Sequence, residues 1–285
     1  MIPRILTAAV LIPAVVALVW FGPPALVAAM AAVVGILALI EFFDLGERVG
    51  LRAIRKWTIA CAAGLFYGQY CVGLIETHSL GEGISLVRNT AAVVSIEAVL
   101  LIFVFGAAGI TLASRRPLHE VLPGISISTA GLVFIALPFS YLVRLNEIET
   151  VGRQLVLFTL CLVWAGDVFA YFIGRSLGHF PMAPLLSPQK TWEGALGNLL
   201  ASLIVAVLFA RWIGAETLGL LVTAGLANVA GQIGDLLESA YKRGASMKDS
   251  SSLLPGHGGM LDRLDSLILA SPMVWATYHW LVARQ

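Results

Sequence analysis

Charge is scarce in this sequence: 12% of its 285 residues are Asp, Glu, Lys or Arg, while 59% are hydrophobic and the mean hydropathy is +0.89. Too few polar groups remain to cover the surface of a water-soluble domain of this length, so the chain is expected to reside in lipid. No excess of one sign is present either, since the net charge is +1, and this leaves no electrostatic basis for a nucleic-acid partner. Cysteine is sparse and unpaired. Cys61, Cys71 and Cys161 all fall in apolar stretches with no C-x-x-C spacing, which excludes a disulfide framework and a zinc site. No fixed-period repeat or low-complexity tract occurs, and no polar stretch is long enough to fold as a separate soluble domain.

What the sequence has in abundance is apolar runs. A helix needs about 20 apolar residues to cross a ~30 Å hydrocarbon core with its own hydrogen bonds satisfied. Nine runs meet that need: Ile5 to Phe21, Ala25 to Phe42, Trp57 to Ile75, Ala91 to Leu112, Ile125 to Val143, Leu155 to Ile173, Ala195 to Ile213, Leu218 to Leu237 and Leu264 to Val282. Arg4 ahead of the first run resembles the start of a signal peptide. The second run follows at once across Gly22-Pro23-Pro24, however, which predicts a tight transmembrane hairpin. With the N-terminus in the cytoplasm and the spans alternating, thirteen of the 18 Lys and Arg residues fall on the cytoplasmic side, as the positive-inside rule requires. The expected fold is therefore an all-α, polytopic transmembrane bundle of about nine helices. It forms a single integral-membrane domain over 1–285, with N-terminal helices over 1–150 and catalytic helices and cytoplasmic loops over 151–285.

The charges concentrate near the C-terminal end. One pattern, Asp-x-x-acid-Ser, occurs as Asp235, Glu238 and Ser239 and again as Asp262, Asp265 and Ser266. Spacing of i, i+3 and i+4 puts all three side chains on one helical face. The first copy ends the eighth apolar run and the second begins the ninth, so a helix hairpin brings both acidic faces to one membrane boundary. Like charges so placed repel unless a cation sits between them, and hard carboxylate oxygens suit Mg²⁺. Asp235 and Asp262 are the expected metal ligands.

Taken singly, these residues have ordinary roles: Asp262 and Asp265 favour a helix N-terminus, and Glu238 pairs with Lys242 at i, i+4. Taken together they do not, because Asp235 lies inside an apolar run where an unpaired carboxylate is costly. Between the two acidic copies lie Lys242, Arg243, Lys248 and Asp249, then His257 flanked by Gly256, Gly258 and Gly259, with Arg263 beyond. Such cations suit a polyphosphate, and glycines permit close backbone approach to it. A second polar loop reads Ser187-Pro-Gln-Lys190-Thr191-Trp192-Glu193-Gly194, where Ser187 or Thr191 would cap the next helix and Lys190 and Trp192 would sit at the interface. Asp167 in the sixth run is expected to face the bundle interior; Glu97 in the fourth has no motif around it.

These residues resemble the bacterial phosphatidate cytidylyltransferases. The signature S-x-x-K-R-x4-K-D followed by P-x-H-G-G-x-x-D-R-x-D is matched by Ser239, Lys242, Arg243, Lys248, Asp249, Pro255, His257, Gly258, Gly259, Asp262, Arg263 and Asp265. A G-D-x-x-E-S element falls on Gly234, Asp235, Glu238 and Ser239, an S-P-x-K-T-W-E-G element on Ser187 to Gly194, and a similar W-x-x-D-x-x-A-Y helix on Trp164 to Tyr171. The resemblance covers roughly Leu155 to Ser266 and departs at Asn198, where the family more often has glycine.

The resemblance implies a multi-pass enzyme of the bacterial inner membrane, in a family whose members are often dimeric, with its active site facing the cytoplasm. It would join CTP and phosphatidic acid into CDP-diacylglycerol and pyrophosphate, using Mg²⁺ alone or with a monovalent cation. On that reading Asp235, Asp262, Lys248 and Arg263 are catalytic, and Asp235 and Asp262 hold the metal. Lys190, Ser239, Lys242, Arg243, Asp249, His257, Gly258, Gly259 and Asp265 bind substrate. Two rival expectations remain: an ion-coupled transporter, since intramembrane carboxylates also mark ion pathways, and a related CTP-dependent lipid enzyme, a polyprenol kinase or CDP-archaeol synthase.

Overall fold

A computed structural model describes residues 2–77, 94–114, 117–253 and 258–282. Nine continuous helices lie among the described residues: α1 (Ile2–Phe21), α2 (Pro24–Arg48), α3 (Arg55–Thr77), α4 (Ile96–Ala113), α5 (Leu118–Asn146), α6 (Gly152–Leu177), α7 (Trp192–Ile213), α8 (Thr217–Gly244) and α9 (Leu261–Leu281). They follow the nine apolar runs in order. Seven of them, α2 to α8, are long and apolar enough to cross a membrane, which makes this a multi-pass membrane protein. The outer two differ: α1 contributes the shorter apolar stretch Ala9–Phe21, and α9 opens on Asp262, Arg263 and Asp265 and carries His279 near its end.

Proline and glycine set the breaks. The expected hairpin between α1 and α2 forms at Gly22, with Pro23 as N-cap and Pro24 in the first turn of α2, where its missing N–H costs nothing. Arg153 of α6 donates to the Trp20 and Gly22 carbonyls (2.8 and 3.3 Å), satisfying groups that the end of α1 leaves open. Helix α5 runs through both Pro123 and Pro138; ahead of Pro138 it widens into one π-turn, Leu132–Ala136, because a proline cannot donate to the preceding turn.

The segment between α6 and α7, expected as a loop, is a short antiparallel hairpin, β1 (Pro181–Ala183) with β2 (Ser187–Thr191). At its end the Thr191 hydroxyl accepts from the Gly194 N–H (3.2 Å), the predicted cap of α7, and Glu193 accepts from the N–H groups of His179 and Phe180. Lys190 is thereby held on a strand beside the helix ends.

Inside the bundle a polar seam joins α7 to α8. Asn228 donates to Asn198 and to the Ser202 hydroxyl (2.7 Å), while Gln232 donates to Asn228 and to the Ala195 carbonyl. Asn198, the departure from the family pattern, is the acceptor at its centre. Buried amides paired in this way fix the register of the two helices. On the other side, Phe42 of α2 meets the edge of Tyr241 of α8 (5.1 Å between centroids), which packs the N-terminal half against the helix that carries the acidic motif.

Candidate active site at the ends of two helices

Helices α8 and α9 approach so closely at Gly234 that a Cβ there would overlap the Asp265 carbonyl oxygen. Only glycine allows that backbone contact. Its consequence is a cluster of Asp235, Glu238 and Asp265, whose carboxylate oxygens lie within 4.8 Å of one another. Glu238 is buried, with Lys242 Nζ 2.7 Å from its Oε2. Three carboxyl groups this close repel one another when ionised, so positive charge nearby is favoured.

Two lysines supply part of it. Lys190 Nζ lies 2.5 Å from Asp235 Oδ2, and Lys242 Nζ lies 2.7 Å from Glu238 and 2.6 Å from Asp262. Asp262 stands outside the trio, joined to it by Lys242 and by a side-chain hydrogen bond with Glu238. Its Oδ2 accepts from the N–H groups of Ser250 (2.9 Å) and Gly259 (2.7 Å) and from the Ser250 hydroxyl (3.0 Å). The pair expected to share a cation was Asp235 and Asp262; the pair brought together is Asp235 and Asp265, while Asp262 ties the loop before α9 to the helix.

That loop depends on a residue the sequence reading did not single out. Glu41 of α2, buried in the bundle, accepts four hydrogen bonds. They come from the hydroxyls of Ser250 (2.8 Å) and Ser251 (2.6 Å) and the N–H groups of Met260 (2.9 Å) and Leu261 (2.8 Å). A carboxylate against the first turn of α9 satisfies amides the helix cannot, and its charge suits the helix dipole. Its only sequence signal is that it is an acid at the end of an apolar run.

The glycines are explained by the same contacts. Gly258 has φ +79°, and a Cβ there would stand 2.6 Å from Asp262 Oδ2; at Gly259 it would collide with Ser250 Oγ and Glu41. Arg243 donates to the backbone carbonyls of Leu186 (3.1 Å) and Met247 (3.0 Å), joining the β-hairpin to the loop. Ser239 is buried on α8, and Arg263 is exposed on the first turn of α9. Lys248 and Asp249 line an open cavity of about 740 Å³ between the loop and the end of α2. His257, with Pro255 and Gly256, lies outside the described residues.

Asp167 of α6 hydrogen-bonds to Asn198 and lies in electrostatic range of Asp235, Lys190 and Arg263. With Asn198, Asn228 and Gln232 it lines a space of about 10 Å³, room for about one water, bordered by Gly231 and Ser266 of the two helices that carry the acidic trio. The carboxylate in the sixth run therefore belongs to the site's surroundings. Glu97, at the start of α4, takes no part in these contacts.

The model of the Cytidylyltransferase family matches residues 2–281. The chain is 35% identical over 153 residues to a phosphatidate cytidylyltransferase of Bacillus subtilis, covering 53% of this chain and 57% of that protein. It is 42% identical over 137 residues to one of Haemophilus influenzae, covering 46% and 48%, and 42% identical over 147 residues to one of Brucella abortus, covering 51% and 54%. The matched stretches thus span about half the length of these curated relatives.

Proposed function

This chain belongs to the cytidylyltransferase family, and from that premise we propose that it transfers a cytidylyl group from CTP to phosphatidic acid, giving CDP-diacylglycerol and pyrophosphate at the cytoplasmic face of a bacterial inner membrane. The observation that carries the reading is the trio of Asp235, Glu238 and Asp265, gathered with Lys190 and Lys242 where α8 and α9 meet a polar loop.

Both reactants are polyanions. The phosphomonoester of phosphatidic acid has a second pKa near ~6, so at neutral pH its oxygen is already ionised and the site needs no dedicated base. What remains is to bring two anions together and hold an oxygen in line with the α-phosphorus, which is work for fixed charges. Asp235 and Asp265, with Glu238 beside them, form a donor set of hard oxygens that fits Mg²⁺. Bound there, such an ion neutralises charge on the transferring and leaving phosphates.

The lysines have matching parts. Lys190, on β2, pairs with Asp235 and would exchange that partner for a phosphate oxygen when the nucleotide binds. Lys242 is fully engaged by Glu238 and Asp262, so its part is to hold those two carboxyl groups in place. The apolar helices below leave acyl chains in the bilayer while the headgroup reaches the trio, and CTP enters from the polar side.

Purified protein in detergent, given labelled CTP and phosphatidic acid, should form CDP-diacylglycerol and stop when EDTA is added. Absence of that product with phosphatidic acid, but transfer to another lipid acceptor, would keep the family and overturn the substrate.

A further inference from the structure

The open cavity of about 740 Å³ lies apart from the acidic trio, between the C-terminal turn of α2 and the loop before α9. Its size is within the range of small-molecule sites. Its walls carry three carboxylates, Asp44, Glu47 and Asp249, against two cations, Arg48 and Lys248, together with serine hydroxyls. Arg55 pairs with both Asp44 and Glu47, so the charges of this region balance; a lining of paired carboxylates and hydroxyls, with no surplus of positive charge, suits a neutral group with hydrogen-bond donors better than a triphosphate.

We infer that this cavity is the nucleoside subsite, receiving the cytosine and ribose of the nucleotide while its phosphates lie toward the trio; this rests on the function proposed above. Three observations carry it. The first is the acceptor capacity of the lining: an exocyclic amino group and two ribose hydroxyls are donors, and the carboxylates are acceptors. Asp44 and Glu47 each engage Arg55 through one oxygen, Oδ1 at 2.6 Å and Oε1 at 3.0 Å, which fixes them and leaves each a second oxygen for a ligand.

The second is continuity with the chemistry. Ser250 lines the cavity and also donates to Asp262, which holds Lys242, which pairs with Glu238 of the trio. One unbroken set of contacts leads from the cavity to the acids. The third is anchoring: the wall formed by Ser250 and Ser251 is fastened to α2 by Glu41, which holds that side of the cavity in place without a ligand.

The test places a reporter at the rim. Ser252 is exposed and lines the cavity, whereas Cys61 and Cys71 are buried, so Ser252→Cys in the full-length protein gives a thiol distinguishable from the unsubstituted chain's background labelling. CMP should slow maleimide labelling at this position at least several-fold, and pyrophosphate alone should leave it unchanged. Glu47→Gln should abolish the CMP protection and raise the KM for CTP about tenfold, with the KM for phosphatidic acid and inhibition by pyrophosphate unaltered. Equal protection by pyrophosphate, or no protection by CMP in a protein that turns over CTP, would overturn the assignment. Protection by CMP in a protein that makes no CDP-diacylglycerol would uphold the subsite and refute the proposed reaction instead.

Discussion

Glu41 Oε2 accepts a hydrogen bond of 2.8 Å from the N–H of Leu261, 220 residues further along the chain. Through it a helix of the N-terminal half caps the helix that delivers Asp262 and Asp265. Removal of a helix cap costs about 0.5–2 kcal/mol, and here two serine hydroxyls lose the same acceptor. Glu41→Ala should therefore lower turnover at least tenfold in protein that still inserts and purifies. Glu41→Gln, which keeps one acceptor oxygen, should lie between it and the unsubstituted protein. Steady-state kinetics on both variants checks the order; equal activity of all three would show that the loop before α9 holds its form without α2.

Gly234 tests the approach of α8 to α9. With alanine there, the new methyl meets the Asp265 carbonyl oxygen, which belongs to helical backbone and cannot swing aside. The helices must separate, and the acids with them. Activity should fall by about two orders of magnitude, since a shift of about 1 Å in a positioned group has that effect. Gly225→Ala, on the same helix but with nothing within 4 Å of its added methyl, should keep its activity.

Much of the architecture was legible because lipid imposes it. Nine apolar runs, Gly22-Pro23-Pro24 as a hairpin break and Thr191 as a cap each follow from local rules, and each is found. The repeated Asp-x-x-acid-Ser pattern likewise identified the helix ends that meet. Which acid of the second copy joins the first was not legible. Residues three apart on a helix differ by about 60° in direction and about 4.5 Å in height, and only the packing at Gly234 decides between Asp262 and Asp265. Glu41 escaped for a related reason: its partners are some 210 to 220 residues away, and no local pattern marks an acid that will cap a distant helix.

Asp265 and Asp262 should consequently fail in different ways. Asp265→Asn removes a carboxylate from the trio itself, and turnover should drop by about 10²-fold or more, partly recovered at high Mg²⁺ because the defect is in holding a cation. Asp262→Asn removes the anchor of Ser250, Gly259 and Lys242; its loss, also by orders of magnitude, should not be recovered by added Mg²⁺. Activity measured across a Mg²⁺ titration separates them. Identical titrations would place both acids at the cation.

Lys242 and Lys190 make the complementary comparison. Lys242 is partly buried, with 13% of its side chain exposed, between two carboxylates that are each only 4% exposed. Lys242→Met would leave Glu238 and Asp262 without their counter-charge in a dry setting, and breaking a buried pair in this way costs about 3–5 kcal/mol. That is a large share of the ~5–15 kcal/mol that holds a typical soluble domain together, so this variant should lose thermal stability in detergent as well as activity. Lys190 is twice as exposed, at 26%, and its partner Asp235 stands at 29%. Water can solvate what Lys190→Met leaves behind, so that protein should melt close to the unsubstituted chain while turning over far more slowly. Melting curves run beside activity assays decide the matter: a stable Lys242→Met protein would mean that the carboxylates it serves are neutralised by another group.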